Sequence, residues 1–458
     1  MNTGATWALS GTLLVVGIAL LALGYIEGGT LMYAALAVLV AGAIGRGMVT
    51  ESDRTWLPQV VLAGFAVKLT ASFARFAVLQ FIYGGGGDAT GYHGSGNRLV
   101  HVWRSFGIPE MDIGTEFINA VTGLLYVPYV PTMLGGFFLF ATIAFFGQLM
   151  LYAAFRHATG GKRAGWYAIG VLFLPTIIYW PSSIGKESIM YLFLGAASLG
   201  ASHLLTDFRL RWIALFALGS VGAAAIRPHI ALLLGGALVA ALIFTKVPQK
   251  TLRTRKMTAV ALIGGVLIIV VAFTASKFGI DFASGLEATE DFENVLESVE
   301  GTTSKGGSGV TGSGIRTPAD FPAGFIKVLF RPFPQEANNL QAAASAMEGV
   351  FLLVVFLLRF IPMMKGMFRL RRMPYITFVL AFTLGFVIAF SSFNNFGLLA
   401  RQRSQVYPYF VALLVALDPR ILSDEDETVN DNVDADRPAR RAPSGRLTER
   451  EAVASRAR

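Results

Sequence analysis

Four cationic side chains stand at three short polar turns between apolar stretches. Lys186 lies in Trp180-Pro-Ser-Ser-Ile-Gly-Lys-Glu-Ser188, Arg227 in Ile226-Arg-Pro-His229, and Arg401 and Arg403 close Asn394-Asn-Phe-Gly-Leu-Leu-Ala-Arg-Gln-Arg403. A guanidinium fork matches phosphate oxygens in pairs, and an ammonium adds a point charge. Two of the turns also open helices: Ser182 or Ser183 is placed to cap one, and Pro228 to start another. Helix N-termini present unpaired N–H groups and partial positive charge. Together these features predict a phosphate or diphosphate site. Arg75, on the same helical face as Lys68 seven residues earlier, and Arg331, in Leu329-Phe-Arg-Pro-Phe-Pro334, are further candidates for it. The plainer alternative is that each cation is an interfacial anchor whose charged head snorkels to water.

Proton chemistry has fewer candidates. Phe81-Ile-Tyr-Gly-Gly-Gly-Gly-Asp-Ala-Thr-Gly-Tyr-His93 leaves an apolar span through glycines that permit a tight turn. Asp88 is the carboxylate at this helix end, with Tyr92 and His93 following it. Asp88 can act as a general base toward a hydroxyl, or hold a divalent cation together with a diphosphate. It can equally cap the next helix. His93 and His229 are the alternative bases. No cofactor is assigned; a divalent cation is left open. The chain has no cysteine, which excludes disulfides, thiolate metal sites and a cysteine nucleophile.

These residues must be positioned by a membrane framework. Of the 458 residues, 54% are hydrophobic and 15% charged, and mean hydropathy is +0.58. A spanning helix needs roughly 20 apolar residues, so the chain holds about a dozen spans. They are read at 7–26, 30–45, 57–82, 132–155, 164–180, 187–206, 212–226, 230–245, 257–275, 346–363, 374–390 and 398–418. The expected fold is therefore an all-α polytopic helix bundle over residues 1–422, with long outer loops at 83–131 and 276–345. A charged, disordered tail occupies 423–458. With both termini cytoplasmic, the inner turns collect Arg156, Lys162, Arg163, Arg209, Arg211, Lys365, Arg371 and Arg372, as the positive-inside bias requires. The net charge of +9 is thus a matter of topology and makes no case for nucleic acid.

Depth follows from length. Spans 212–226 and 230–245 have only about 15 apolar residues each, short of the roughly 20 of a straight span, so the Arg227 corner should sit below the outer surface. The last span reaches full length only by including Arg401 and Arg403, which should then face a cavity. Lys68, deeper still, is expected to meet a carbonyl or polar side chain within the bundle. Within the second outer loop, an acidic stretch (281–300) precedes the low-complexity linker 301–314. Phe321-Pro-Ala-Gly-Phe-Ile-Lys-Val-Leu-Phe-Arg-Pro-Phe333 then reads as a helix lying in the membrane interface.

Asp88-Ala-Thr-Gly-Tyr92, Pro181-Ser-Ser-Ile-Gly-Lys-Glu187, Arg227-Pro-His229, Leu329-Phe-Arg-Pro-Phe-Pro334 and Ala400-Arg-Gln-Arg403, spaced among the spans, give the chain a pattern. It resembles bacterial polysaccharide polymerases of the O-antigen and exopolysaccharide type. More distantly it resembles the polyprenyl-phosphate-dependent GT-C glycosyltransferases. The resemblance covers most of residues 75–410 and has no diagnostic motif. It implies a cell-membrane glycosyltransferase whose donor is a polyprenyl (di)phosphate-linked glycan in the lipid bilayer. Other polysaccharide-assembly membrane proteins would be its neighbours. It also implies that outer arginines, matched by Arg227, Arg401 and Arg403, hold the lipid diphosphate, and that Asp88 stands where GT-C enzymes place an acidic residue. That residue follows the first span in GT-C enzymes and is often paired; here it follows the third and stands alone. The rival expectations are a transporter or flippase for a lipid-linked glycan or other anion, and a non-catalytic envelope subunit.

Overall fold

A computed structural model describes residues 56–244 and 315–417 except 369, together with scattered positions between 15 and 30. The spans read at 7–26, 30–45 and 257–275, the stretch 281–314 and the tail lie outside or largely outside the described residues. Within them the chain is all helical, and three helices are long and apolar enough to cross a membrane: Leu57–Ile82, Met133–Ala158 and Leu340–Met367, of 26, 26 and 28 residues.

The helices run in chain order as α1 (Leu57–Ala77, continued by a π-turn Val78–Ile82), α2 (Asp88–Arg104), α3 (Thr115–Leu125) and α4 (Met133–Ala158). Next come α5 (Ala164–Phe173), α6 (Pro175–Tyr179), α7 (Lys186–Leu204), α8 (Leu210–Ile226) and α9 (Pro228–Phe244). The last group is α10 (Phe321–Phe330), α11 (Leu340–Met367), α12 (Pro374–Phe390), α13 (Phe396–Arg403) and α14 (Tyr407–Ala416). The main packing partners are α4 with α7, α7 with α8, α9 with α12 and α2 with α3.

Small residues let the central helices approach closely, as apolar helices in a membrane require. A Cβ on Gly147 of α4 would lie 2.1 Å from the Tyr191 carbonyl of α7, and one on Gly195 2.4 Å from the Gly147 carbonyl. Polar side chains inside the bundle are spent on backbone. Lys68 Nζ donates to the carbonyls of Ile177 and Ile178 at 3.2 Å each, and Gln148 Nε2 donates to Val171 at 2.8 Å. Lys68 thus meets the carbonyl partner expected for a charge at that depth.

The structure differs from the sequence reading at five places. The span read at 164–180 is two helices broken at Leu174–Pro175, and the one read at 398–418 is α13 and α14 joined by a turn at 404–406. The outer loop 83–131 contains the helical pair α2 and α3. Neither Ser182 nor Ser183 caps α7. Gly185 is its N-cap, while Ser182 Oγ donates back to Ile178 and the Ser183 carbonyl accepts from Ser188 Oγ. Finally, α10, read as an interfacial helix, packs one face into the bundle. Val328, Leu329 and Phe330 are fully buried, and Lys327 Nζ donates to the Ser391 carbonyl (2.7 Å) and Asn394 Oδ1 (2.9 Å), which docks α10 into the bundle.

Two ends of the bundle are distinguishable. His157 and His203 meet ring to ring at 3.6 Å, so the C-terminal ends of α4 and α7 lie together. The start of α7, the end of α8 and the start of α11 lie at the opposite end, where Tyr83 donates to Gln341 at 3.3 Å.

Candidate functional site

At that second end, four segments far apart in sequence converge on Glu187. This residue is 3% exposed in the first turn of α7. Arg227, the hinge residue between α8 and α9, donates from Nη2 to Glu187 Oε1 at 2.7 Å. Arg401 of α13 brings Nε to 2.7 Å from the same oxygen, an ion contact without the N–H alignment of a hydrogen bond. Arg401 Nη1 also donates to Asp88 Oδ2 at 2.8 Å, at the start of α2. Arg75, on the last turn of α1, stacks over Tyr179 and Trp180 at 5.0 Å from each ring centroid. It lies within electrostatic reach of Arg401, Glu187 and Asp88. Lys186 completes the group, close to Arg227, Glu187 and Arg401.

Local sequence explains how these segments meet. Positive φ angles at Gly84, Gly85 and Gly87 turn the chain from α1 into α2, so that Asp88 opens a helix just after the span that carries Arg75. Gly114 (φ +90) donates its N–H to the Ala225 carbonyl at 2.9 Å, which ties the α2–α3 pair to the end of α8. A Cβ there would stand 3.5 Å from Lys186 Nζ. Pro228 opens α9, forcing Arg227 to be the extended hinge.

The cations Arg75, Lys186, Arg227 and Arg401 outnumber the carboxylates Asp88 and Glu187 by two. Among the described residues, Arg75 Nη1 and Arg227 Nη1 are buried with no hydrogen-bond partner. Unpaired buried donors are costly, and an oxyanion is the kind of group that satisfies such donors. Burial, with the nearby Arg227, holds the Lys186 ammonium below the ordinary lysine range. Tyr92, 4% exposed beside Asp88 and hydrogen-bonded to Thr115, has its phenol pushed up by burial and by Asp88.

The other sequence candidates lie apart. Arg403 is 1% exposed and donates to the carbonyls of Leu329 (3.4 Å) and Arg331 and to the Tyr407 hydroxyl (3.2 Å). It anchors the end of α10 rather than joining Arg401. Arg331 pairs with Glu336 and stacks over Phe396 at 4.9 Å. His93 Nδ1 sits 3.0 Å from the Tyr126 hydroxyl, and burial lowers its pKa against the pull of Glu27. His229 packs edge-on against Phe390. The sequence reading gives Glu187 no role of its own, although an acidic residue opening an apolar helix between cationic turns is a usable signal.

No group of three or more His, Asp or Glu side chains suited to a metal occurs among the described residues. Both site carboxylates already contact Arg401. Beside the cluster runs an apolar cleft of about 300 Å³ lined by Val78, Ile82, Tyr179, Trp180, Leu340 and Ala344. Because Tyr179 and Trp180 carry Arg75 on their faces, the cleft and the cluster share a wall. No protein-family model matches the chain, and no curated protein or solved structure matches it.

Proposed function

We propose that this end of the bundle is an outward-facing site for glycosyl transfer from a polyprenyl (di)phosphate-linked sugar in the plasma membrane, within cell-surface polysaccharide assembly. The observation that carries the reading is the convergence of Arg75, Lys186, Arg227 and Arg401 from distant segments, with unpaired donors on Arg75 and Arg227, beside an apolar cleft. An isoprenoid phosphate needs that combination: hydrocarbon on one side and a cationic cradle on the other. Charge developing on the leaving phosphate is met by donors already in place, which lowers the barrier without reorganisation. Asp88, 62% exposed at its side chain, is the carboxylate an acceptor hydroxyl can reach. Its pairing with Arg401 couples the base to the phosphate group. The arginines and lysines at the far end support a cytoplasmic location for that end.

Polymer formation in cells, read beside binding of the purified protein to inorganic pyrophosphate, tests the reading. Arg227→Ala with Arg401→Ala should abolish both. Asp88→Asn should abolish transfer and leave pyrophosphate binding in place. Normal polymer in the double variant would end the proposal. Transport of a lipid-linked anion is the second reading, and the deeper polar groups Lys68, Glu348 and Arg403 favour it. Each of them, however, is engaged within the bundle, by Ile177 and Ile178, by Thr176, and by Leu329 and Arg331. Fixed partners suit support more than passage.

A further inference from the structure

Arg401 serves two carboxylates of unlike standing. Toward Glu187 it presents Nε at 2.7 Å, and the same Glu187 oxygen is held by Arg227 Nη2 at 2.7 Å, with the Glu187 side chain only 4% exposed. Toward Asp88 it presents Nη1 at 2.8 Å, and the Asp88 side chain is 62% exposed. The Glu187 contact is doubly held and shut away from water. The Asp88 contact is single and open to it.

Little else fixes the Asp88 carboxylate. Asp88 lies in the first turn of α2, but Gly87 is the N-cap and no side-chain capping bond forms there. Among the described residues, Arg401 is the hydrogen-bond partner of the Asp88 side chain. The turn ahead of it has room: Gly84 has φ +60, and a Cβ on it would meet nothing within 4 Å.

Phosphate is the stronger partner for the same guanidinium. Its oxygens pair with the fork two at a time and carry more charge than a carboxylate. An exposed carboxylate–arginine pair contributes little. A phosphate entering the cluster also gains from Arg75, Lys186 and Arg227, whereas it cannot readily displace Glu187 from two arginines at once.

We propose that Asp88 is a displaceable occupant of the phosphate site: an incoming phosphate takes Arg401 from it, while Glu187 keeps its hold. The inference rests on the glycosyl-donor reading of this site and gives it an order. Before the donor binds, Asp88 Oδ2 is spent on Arg401. Afterwards both carboxylate oxygens are free to receive an acceptor hydroxyl. The donor therefore binds first, and Asp88 is released only where there is a donor to be attacked.

The test uses the full chain in nanodiscs with inorganic pyrophosphate as the probe. In calorimetric titrations Asp88→Asn should bind pyrophosphate roughly threefold more tightly than the unsubstituted protein, within the range open to an exposed ion pair. Arg401→Ala keeps Arg75, Lys186 and Arg227 and should bind more weakly; adding Asp88→Asn to it should then change nothing. Equal tightening in both backgrounds would reduce Asp88 to a distant charge and overturn the proposal. A direct reading comes from carboxyl-13C aspartate. The resonance that vanishes in Asp88→Asn should move, as pyrophosphate is added to the unsubstituted protein, toward its position in Arg401→Ala. Pyrophosphate that binds while this resonance stays in place, or binds no tighter to Asp88→Asn, would end the proposal and leave the phosphate site standing. Pyrophosphate that does not bind at all would end both.

Discussion

Replacing Glu187 by Gln removes one charge and almost no volume, yet it acts on the most buried anion of the cluster. The Glu187 side chain is 4% exposed, and its partners Arg227 and Arg401 are 10% and 21% exposed. Opposite charges about 4 Å apart attract by about 4 kcal/mol at an effective dielectric constant of about 20. Two such pairs outweigh the desolvation that Gln avoids, and removing one partner of a buried pair costs about 3–5 kcal/mol. Asp88→Asn disturbs the same Arg401 but at a side chain 62% exposed, where a pair is worth about 0–1 kcal/mol. The unfolding midpoint of the purified protein, followed by intrinsic tryptophan fluorescence, should therefore fall by about 4 °C for Glu187→Gln, because an unfolding entropy of about 2.1 cal/mol/K per residue makes 1 kcal/mol worth about 1 °C in a chain of this length, and scarcely move for Asp88→Asn. Pyrophosphate should recover more of the loss in Glu187→Gln than it adds to the unsubstituted protein, because the cationic excess has grown by one. Equal midpoints for the two variants would refute the view that Glu187 holds the cluster together.

Arg403→Ala should lower stability through lost packing on α10 and leave pyrophosphate binding unchanged; a titration showing weakened binding would return Arg403 to the site. Gly114→Ala should weaken pyrophosphate binding, since it puts a Cβ on a backbone with φ +90 that side chains rarely adopt in the segment tied to the end of α8 beside Lys186, and unchanged affinity would count against that segment's part in the site. Lys186 should react with an amine-specific reagent with a midpoint below the roughly 10.4 of an ordinary lysine, as mass spectrometry across a pH series would record. The linked stability has a definite sign. The folded state releases the Lys186 proton first, so the penalty of burying the charge is present in full at lower pH. It is relieved as pH rises through the folded value toward the unfolded one; a Lys186→Met variant should lose that rise.

The helices bounded by proline or glycine were the most legible in the sequence: α12 begins at Pro374, and the first described span ends at Ile82, just before the glycine run. The breaks at Leu174–Pro175 and at 404–406 were not, because hydropathy averages across a short interruption that keeps its apolar flanks. The cationic turns at Lys186, Arg227 and Arg401 could be singled out because charge beside an apolar span is conspicuous. That they meet at Glu187 depends on contacts spanning hundreds of residues, which spacing does not encode. Arg403 carries a different lesson. Residues two apart on a helix point about 200° away from each other, so Arg401 and Arg403 were bound to face different neighbours once both lay in α13.

Lys68 also dictates an order of assembly. Its carbonyl partners Ile177 and Ile178 are synthesised 109 and 110 residues later. When α1 leaves the ribosome it therefore offers the translocon a bare ammonium near mid-helix, a penalty of about 2.5–3.5 kcal/mol for insertion. The segment is then poised between bilayer and water until α6 arrives to receive it. Truncated chains ending before residue 177 should leave α1 only partly inserted, so the first described helix of the bundle becomes secure only retroactively.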